Sequence, residues 1–318
     1  MKKAFKKIGI GIGVIVALFI VILLVITIIH RISLSREQER IVPIGQMVEI
    51  NGNMMHVYIA GENQEAPLLV FLSGALTPAP VFDFRPLYSL LTDEFRIAVV
   101  EKFGYGYSDI VDVPRDIDSI LSDTRAALYA VGEIGEFVLL PHSLSGLEAL
   151  RWAQLYPNEV AGIIGIDIGI PSMYLAGYGT LSEFSKRFMQ MMGWMGLHRF
   201  PPPGGFFIDL LLAEDEREQN MLLRNRNSMN RVFFEEGRNV VDNARIIEQH
   251  GIPDISMLLL VAEGSMEQMG AFWIPHKKEF ARQSGAQIEF FNTGHSIHHE
   301  EPERVADLVR AFIFGLQE

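Results

Sequence analysis

The stretch Phe137-Val-Leu-Leu-Pro-His-Ser-Leu-Ser-Gly-Leu-Glu-Ala-Leu-Arg-Trp-Ala153 decides how this chain is read. It begins with an apolar run, Phe137 to Leu140, of the length and character of a buried strand. It ends in a helical pattern that can place Leu147, Leu150, Trp152 and Ala153 on one side. The residues between them leave room only for a sharp strand-to-helix turn. A serine at the apex of such a turn is held in a strained backbone conformation, with its hydroxyl exposed above the sheet. The next backbone N–H, that of Leu144, points where a helix N-terminus favours developing negative charge. The positions two before and two after the apex must be small because strand and helix cross closely there. Gly-x-Ser-x-Gly is the simplest solution; this chain has Pro-x-Ser-x-Ser, with Gly146 following. Ser145 is rejected as the apex because it would set the bulky Leu147 where a small residue is required.

On these residues the chain resembles the α/β-hydrolase superfamily, and the resemblance implies Ser143 as nucleophile. Three further stretches carry it. The apolar run Leu68 to Leu72 ends in Ser73-Gly74-Ala75, similar to the family's His-Gly-x turn. That likeness implies the Ala75 amide as partner of the Leu144 amide in an oxyanion hole. Phe103-Gly-Tyr-Gly-Tyr-Ser-Asp109 resembles the family's glycine-rich turn behind the elbow, a structural element. Asn292-Thr-Gly-His-Ser-Ile-His-His-Glu-Glu-Pro-Glu-Arg-Val305 resembles the closing motif Gly-His-x-x-His-x-Glu-x-Pro. It implies His295 as the general base, with His298 and His299 in supporting or surface positions.

The triad acid is less direct. In most of the family it follows the seventh strand, but there this chain has Val261-Ala-Glu-Gly-Ser-Met-Glu267, with Ser265 at the expected position. Some relatives place the acid after the sixth strand, where Asp167 stands. Asp167 is the expected acid, Glu263 the alternative, and Glu267 the other nearby carboxylate.

Working outward, Met47 to Gly61 reads as a hairpin turning at Asn51-Gly52. Further strands are expected at 68–72, 96–100, 137–140, 160–166, 255–262 and 287–291. Helices are expected at 79–91, 117–131 and 274–282, with a terminal amphipathic helix carrying Val305, Leu308, Val309 and Phe312 on one face. This alternation predicts a mostly parallel α/β sheet independently of the resemblance. Strand alternation stops between Pro171 and Gly251, where the family inserts a helical cap. Met189, Met191, Met192, Trp194, Met195, Phe206 and Phe207 are expected mostly as the cap's own core, with a few facing an apolar acyl or alkyl group of a substrate.

The N-terminus carries Lys2, Lys3, Lys6 and Lys7 before an uncharged apolar run from Ile8 to Ile29. About 20 such residues cross a bilayer core as a helix. The lysines predict a cytoplasmic N-terminus with the rest of the chain outside. A cleaved signal peptide is disfavoured by the run's length and by the absence of a small-x-small site after it. The expected organisation is a Lys-rich tip and anchor at 1–32, a polar stalk at 33–45, a hydrolase core at 46–170 and 252–318, and a cap at 171–251.

At 318 residues the chain can bury a large core. Its net charge of −12 argues against nucleic acid as a partner. The absence of cysteine excludes a thiol nucleophile, disulfides and Cys-ligated zinc. The histidines have no metal-ligand spacing, and neither metal nor organic cofactor is expected. The resemblance implies acyl transfer to water from a small ester or amide, with esterase and proline-iminopeptidase-type activities both open. A peptidase would use an acidic cluster in the cap to hold the substrate amine, for which Glu214, Asp215, Glu216 and Glu218 are the candidates. The rival reading from another class is a membrane-anchored binding or sensor protein that keeps the fold with little turnover.

Overall fold

The computed structural model describes residues 2–179, 182–200, 206–264 and 267–316, with the backbone alone for 2–4 and 267–271. Ser265, the Glu267 side chain and residues 201–205 of the cap lie outside that description. One eight-stranded sheet organises the chain, in the order β1-β2-β4-β3-β5-β6-β7-β8. Its strands are β1 (Gln46–Ile50), β2 (Asn53–Ala60), β3 (Leu68–Leu72), β4 (Ile97–Glu101), β5 (Phe137–Pro141), β6 (Val160–Ile166), β7 (Met257–Ala262) and β8 (Gln287–Phe291). β1 and β2 form a hairpin over Asn51 and Gly52, both at positive φ. β2 runs antiparallel to β4, and from β4 to β8 every neighbouring pair is parallel.

The helices are α1 (Lys2–Gln38), α2 (Pro80–Asp83), α3 (Arg85–Tyr88), α4 (Ile117–Ala130), α5 (Gly146–Leu155), α6 (Pro171–Leu175), α7 (Glu183–Trp194), α8 (Glu214–Asn227), α9 (Arg231–His250), α10 (Glu267–Ser284), α11 (Ile297–Glu300) and α12 (Pro302–Leu316). Strands β3, β4, β5 and β7 are buried along their whole length, which is why they read as unbroken apolar runs rather than alternating ones. Alternate side chains feed two cores. Val70, Leu72, Leu139 and Leu259 pack with Leu121, Leu147, Leu150 and Val240 on one face. Phe71, Val138, Leu140 and Ile164 pack with Leu87, Val305 and Val309 on the other.

The expected helix at 79–91 is two one-turn helices, α2 and α3. Pro86 has no N–H to bond back to Phe82, so the helix cannot run through. The cap, α6 to α9 between β6 and β7, departs from expectation in a more useful way. Among the described residues its buried apolar side chains are Pro171, Met173 and Tyr174 of α6, then Leu212, Leu222, Leu223, Val232, Phe233, Phe234, Val240, Ala244 and Ile247. Met191, Trp194 and Phe207 are exposed, whereas Met189 and Phe206 line a cavity. Among the described residues the cap core therefore comes from α6, α8 and α9, and the exposed Met191, Trp194 and Phe207 lie outside it.

Helix α1 is long and apolar enough to cross a membrane, and residues 8–22 are exposed along their length. It continues through the expected stalk as far as Gln38. Its C-terminal end is fastened to the cap: Arg199 Nη1 and Nη2 donate to the Glu37 carboxylate at 2.8 and 2.7 Å, and Arg199 Nε to His30 Nδ1 at 2.6 Å.

Candidate active site

The site is built at the C-terminal ends of β3, β5, β6 and β8. After β5 the backbone turns through Ser143 at φ 56°, a left-handed conformation costly for a residue with a Cβ. A single 3-10 turn, Ser143–Ser145, then leads into α5. Ser145 is fully buried and its hydroxyl is spent on structure. It accepts from His142 N at 3.0 Å and donates to Leu72 O at 2.6 Å, tying the elbow to β3. Gly74 lies directly against the apex, where a Cβ would come within 2.7 Å of Ser143 Cβ. Only glycine allows the Ser73-Gly74-Ala75 turn to close over the elbow.

His295, after β8, is partly exposed, and its Nδ1 lies 2.6 Å from Asp167 Oδ2. Asp167 follows β6 at φ 45° and is almost fully buried. Its Oδ1 accepts from Ala262 N at 3.0 Å and from Lys277 Nζ at 2.5 Å. Burial opposes ionisation of this carboxyl, but the Lys277 ammonium and the hydrogen bond with His295 outweigh it and hold the group at about 2. Glu263 is exposed.

Ser143, His295, Ala75 and Leu144 border one cavity of about 330 Å³, whose remaining walls include Leu76, Tyr174, Tyr178, Lys186, Phe233, Phe234 and Val240. The lining is mostly apolar; Lys186, largely buried and 3.0 Å from Glu183 Oε1, brings a cation to it. The structure thus brings together Ser143, His295, Asp167, Ala75 and Leu144, and leaves Glu263 at the surface.

Three residues packed against these side chains escaped the sequence reading. Lys277 sits in α10 within a Trp-Ile-Pro-His-Lys-Lys segment that reads as an ordinary helix face. Its ammonium lies 4.3 Å from the Trp273 ring centroid, and burial lowers it to about 8 despite Asp167. His142, beside the apex, is buried; its Nε2 donates to His295 O at 3.2 Å and its ring centroid is 4.6 Å from that of His295. Burial, reinforced by His295 and His298, pushes it well below the usual histidine range, so it is neutral. Its place in the elbow was the available signal. Asp83 fixes the loop after His295, meeting His298 Nε2 through Oδ2 at 3.1 Å and His299 Nε2 through its carbonyl at 2.9 Å.

Asp83, His142 and His298 bring three metal-ligand atoms within 4.8 Å of one another. In this arrangement Asp83 is hydrogen-bonded to His298, and His142 Nε2 to His295 O.

A second buried cluster lies behind the elbow. Lys102 Nζ bridges Glu148 of α5 at 2.5 Å and Glu236 of α9 at 2.8 Å, and Tyr105 donates to Glu236 at 2.8 Å. It joins the elbow helix to the cap.

An eight-stranded, mostly parallel sheet with this elbow, and a histidine after its last strand, defines an α/β hydrolase. The model of the alpha/beta hydrolase family matches residues 69–308, and the chain belongs to that family. It is 29% identical over 296 residues to the uncharacterized protein YbdG of Bacillus subtilis, covering 90% of each chain. It is also 29% identical over 154 residues to a pimeloyl-[acyl-carrier protein] methyl ester esterase of Shewanella woodyi, covering 44% of this chain and 52% of that one. Among solved structures, the Bacillus megaterium epoxide hydrolase shares the fold with a TM-score of 0.66 at 16% identity, over 84% of this chain and 99% of that one. Family and relatives support a hydrolytic function in general.

Proposed function

We propose that this protein is a membrane-anchored serine hydrolase that cleaves an ester of a partly apolar substrate through an acyl-enzyme. One observation carries the reading: a strained Ser143 and a His295 engaged by a buried Asp167 border the same apolar cavity. With Nδ1 held by Asp167, His295 keeps Nε2 to take the Ser143 proton as Oγ attacks the carbonyl carbon. The Ala75 and Leu144 amides hold the oxyanion. The imidazolium then protonates the leaving alcohol, and water repeats the sequence on the acyl-enzyme. An ester is favoured over a peptide with a free amine. Lys186 brings positive charge to the cavity, while Glu216 and Glu218 of the acidic cluster are engaged by Arg85 and Arg40.

In this reading α1 is the anchor, the lysines hold the N-terminus in the cytoplasm, residues 46–170 and 252–318 form the core outside, and 171–251 roof the site. The test is labelling by a fluorophosphonate, which needs an activated serine but no knowledge of substrate. Labelling that is lost in Ser143→Ala supports it; an unlabelled wild type favours the binding or sensor reading. Lys277 is what speaks for that second reading, since it partly neutralises the carboxylate that His295 needs. Protease added to intact cells should reach the chain after Ile41, and full protection would reverse the proposed topology.

A further inference from the structure

Helix α7 is apolar on the wrong side for a protein surrounded by water. Phe184, Phe188, Met191 and Trp194 recur at helical spacing on one face, and they are 80, 47, 47 and 59% exposed. Lys186 and Gly193 face the other way; Lys186 lines the Ser143 cavity, and a Cβ on Gly193 would meet Met229 at 2.7 Å. A surface helix of a soluble domain shows the opposite pattern, with apolar residues inward. Aromatics with an interspersed cation, here exposed Arg187, are the composition of a helix lying in a bilayer interface.

The position of this face relative to α1 identifies what covers it. The apolar run of α1 ends at Ile29, and His30 is the first residue beyond it. Gly196, two residues after Trp194 and at φ 81°, lies flush against that histidine, where a Cβ would come within 2.4 Å of the ring. Arg199 clamps α1 there through His30 and, two turns further on, through Glu37. The end of α7 is therefore held at the level where the chain leaves the hydrocarbon, the depth that tryptophan favours. On the same side, a second apolar cavity of about 410 Å³ is lined by Met189, Phe200 and Phe206. His198, another of its walls, meets His30 edge-on at 5.3 Å, and Leu76 borders both this cavity and the Ser143 pocket.

We propose that the outward face of α7 lies in the interfacial layer of the bilayer that α1 crosses, and that the Ser143 site behind it takes acyl esters from that layer. The proposal rests on the reading of α1 as an anchor and of Ser143 as a nucleophile, so each is checked separately. The full chain is reconstituted in vesicles of phosphatidylcholine and phosphatidylglycerol, and flotation after carbonate washing tests the anchor alone. Fluorescence quenching by lipids brominated near the headgroup tests the face without any need for activity. Trp152 and Trp273 are buried, so Trp194→Phe should remove most of the quenchable signal. Hydrolysis tests the substrate source. Phe184→Ser with Phe188→Ser should lower cleavage of a long-chain ester dissolved in the vesicles by about tenfold while leaving a soluble short-chain ester unchanged. The unchanged soluble rate also shows that the variant has folded. A chain that floats but shows no quenching through Trp194 overturns the proposal, as does an equal loss on both esters. Self-association of the wild type that disappears in the double variant, without quenching, would assign the face to a second copy instead.

Discussion

Lys277 Nζ lies 2.5 Å from Asp167 Oδ1, with both side chains about 1% exposed, so the carboxylate that steadies His295 carries a counter-ion of its own. In the proposed mechanism the ammonium and the imidazolium that forms on His295 compete for one negative charge. This sets how strongly Asp167 can support proton transfer, and it makes the site responsive to pH outside the range of the histidine alone.

Lys277→Met should therefore raise kcat near pH 7, by about tenfold if one pKa unit of interaction is released. In the wild type kcat should climb as pH passes through about 8, where Lys277 loses its charge, and the variant should lack that limb. Stability carries the same signature. The folded protein releases the Lys277 proton near pH 8, whereas the unfolded chain keeps it to 10.5. Unfolding takes up a proton between those values, so the melting temperature should rise with pH across that window. Melting curves of both proteins from pH 7 to pH 10 check this; a flat wild-type profile would count against a charged Lys277.

Asp167→Asn should lower kcat of ester hydrolysis by about 10⁴-fold with little change in KM, the scale known for the same change in a serine protease triad. Glu263→Gln should be mild, because that side chain is exposed. Steady-state kinetics on a soluble ester, with circular dichroism to confirm folding, separates the two. Equal losses would remove Asp167 from the proposed triad.

Ser145→Ala should cost stability rather than chemistry. It strips a buried hydrogen-bond donor from Leu72 O and an acceptor from His142 N, for about 1–3 kcal/mol. Denaturant titration reads that loss, while fluorophosphonate labelling of Ser143 should persist. If labelling disappears from a folded Ser145→Ala protein, the two serines exchange roles.

Lys102→Met should destabilise the protein by about 3–5 kcal/mol, because it leaves Glu148 and Glu236 buried without their shared cation. Adding Glu148→Gln should recover part of the loss, since Glu148 has no other ion-pair partner among the described residues, whereas Glu236 keeps Arg115 at 3.6 Å. A double-mutant cycle by chemical denaturation measures the coupling.

Much of the architecture was legible because it depends on local pattern. Runs such as Leu68 to Leu72 and Phe137 to Leu140 are apolar on both faces, which only a covered parallel strand requires. Pro-His-Ser-Leu-Ser-Gly is too short to be anything but an elbow, and Asn51-Gly52 suits a hairpin turn by its backbone freedom alone. These features are properties of a few consecutive residues, so the amino-acid order suffices to state them. The proline at position 86 was equally visible, and the single helix expected there should have been divided.

What tertiary structure alone decided concerns residues distant in the chain or identical in composition. Asp167 and Glu263 both follow strands and both suit an acid by type. Their difference is that one side chain is buried facing the last loop and the other points to solvent. Lys277 reads as a surface lysine until α10 packs beside β7 and brings it to Asp167, just after β6. Phe184, Phe188 and Trp194 would satisfy a core or a membrane-facing helix equally well as sequence, since hydrophobic burial is non-directional and takes any apolar surface it meets. Only the packing of Gly193 against Met229 and of Gly196 against His30 fixes which side of that helix faces outward.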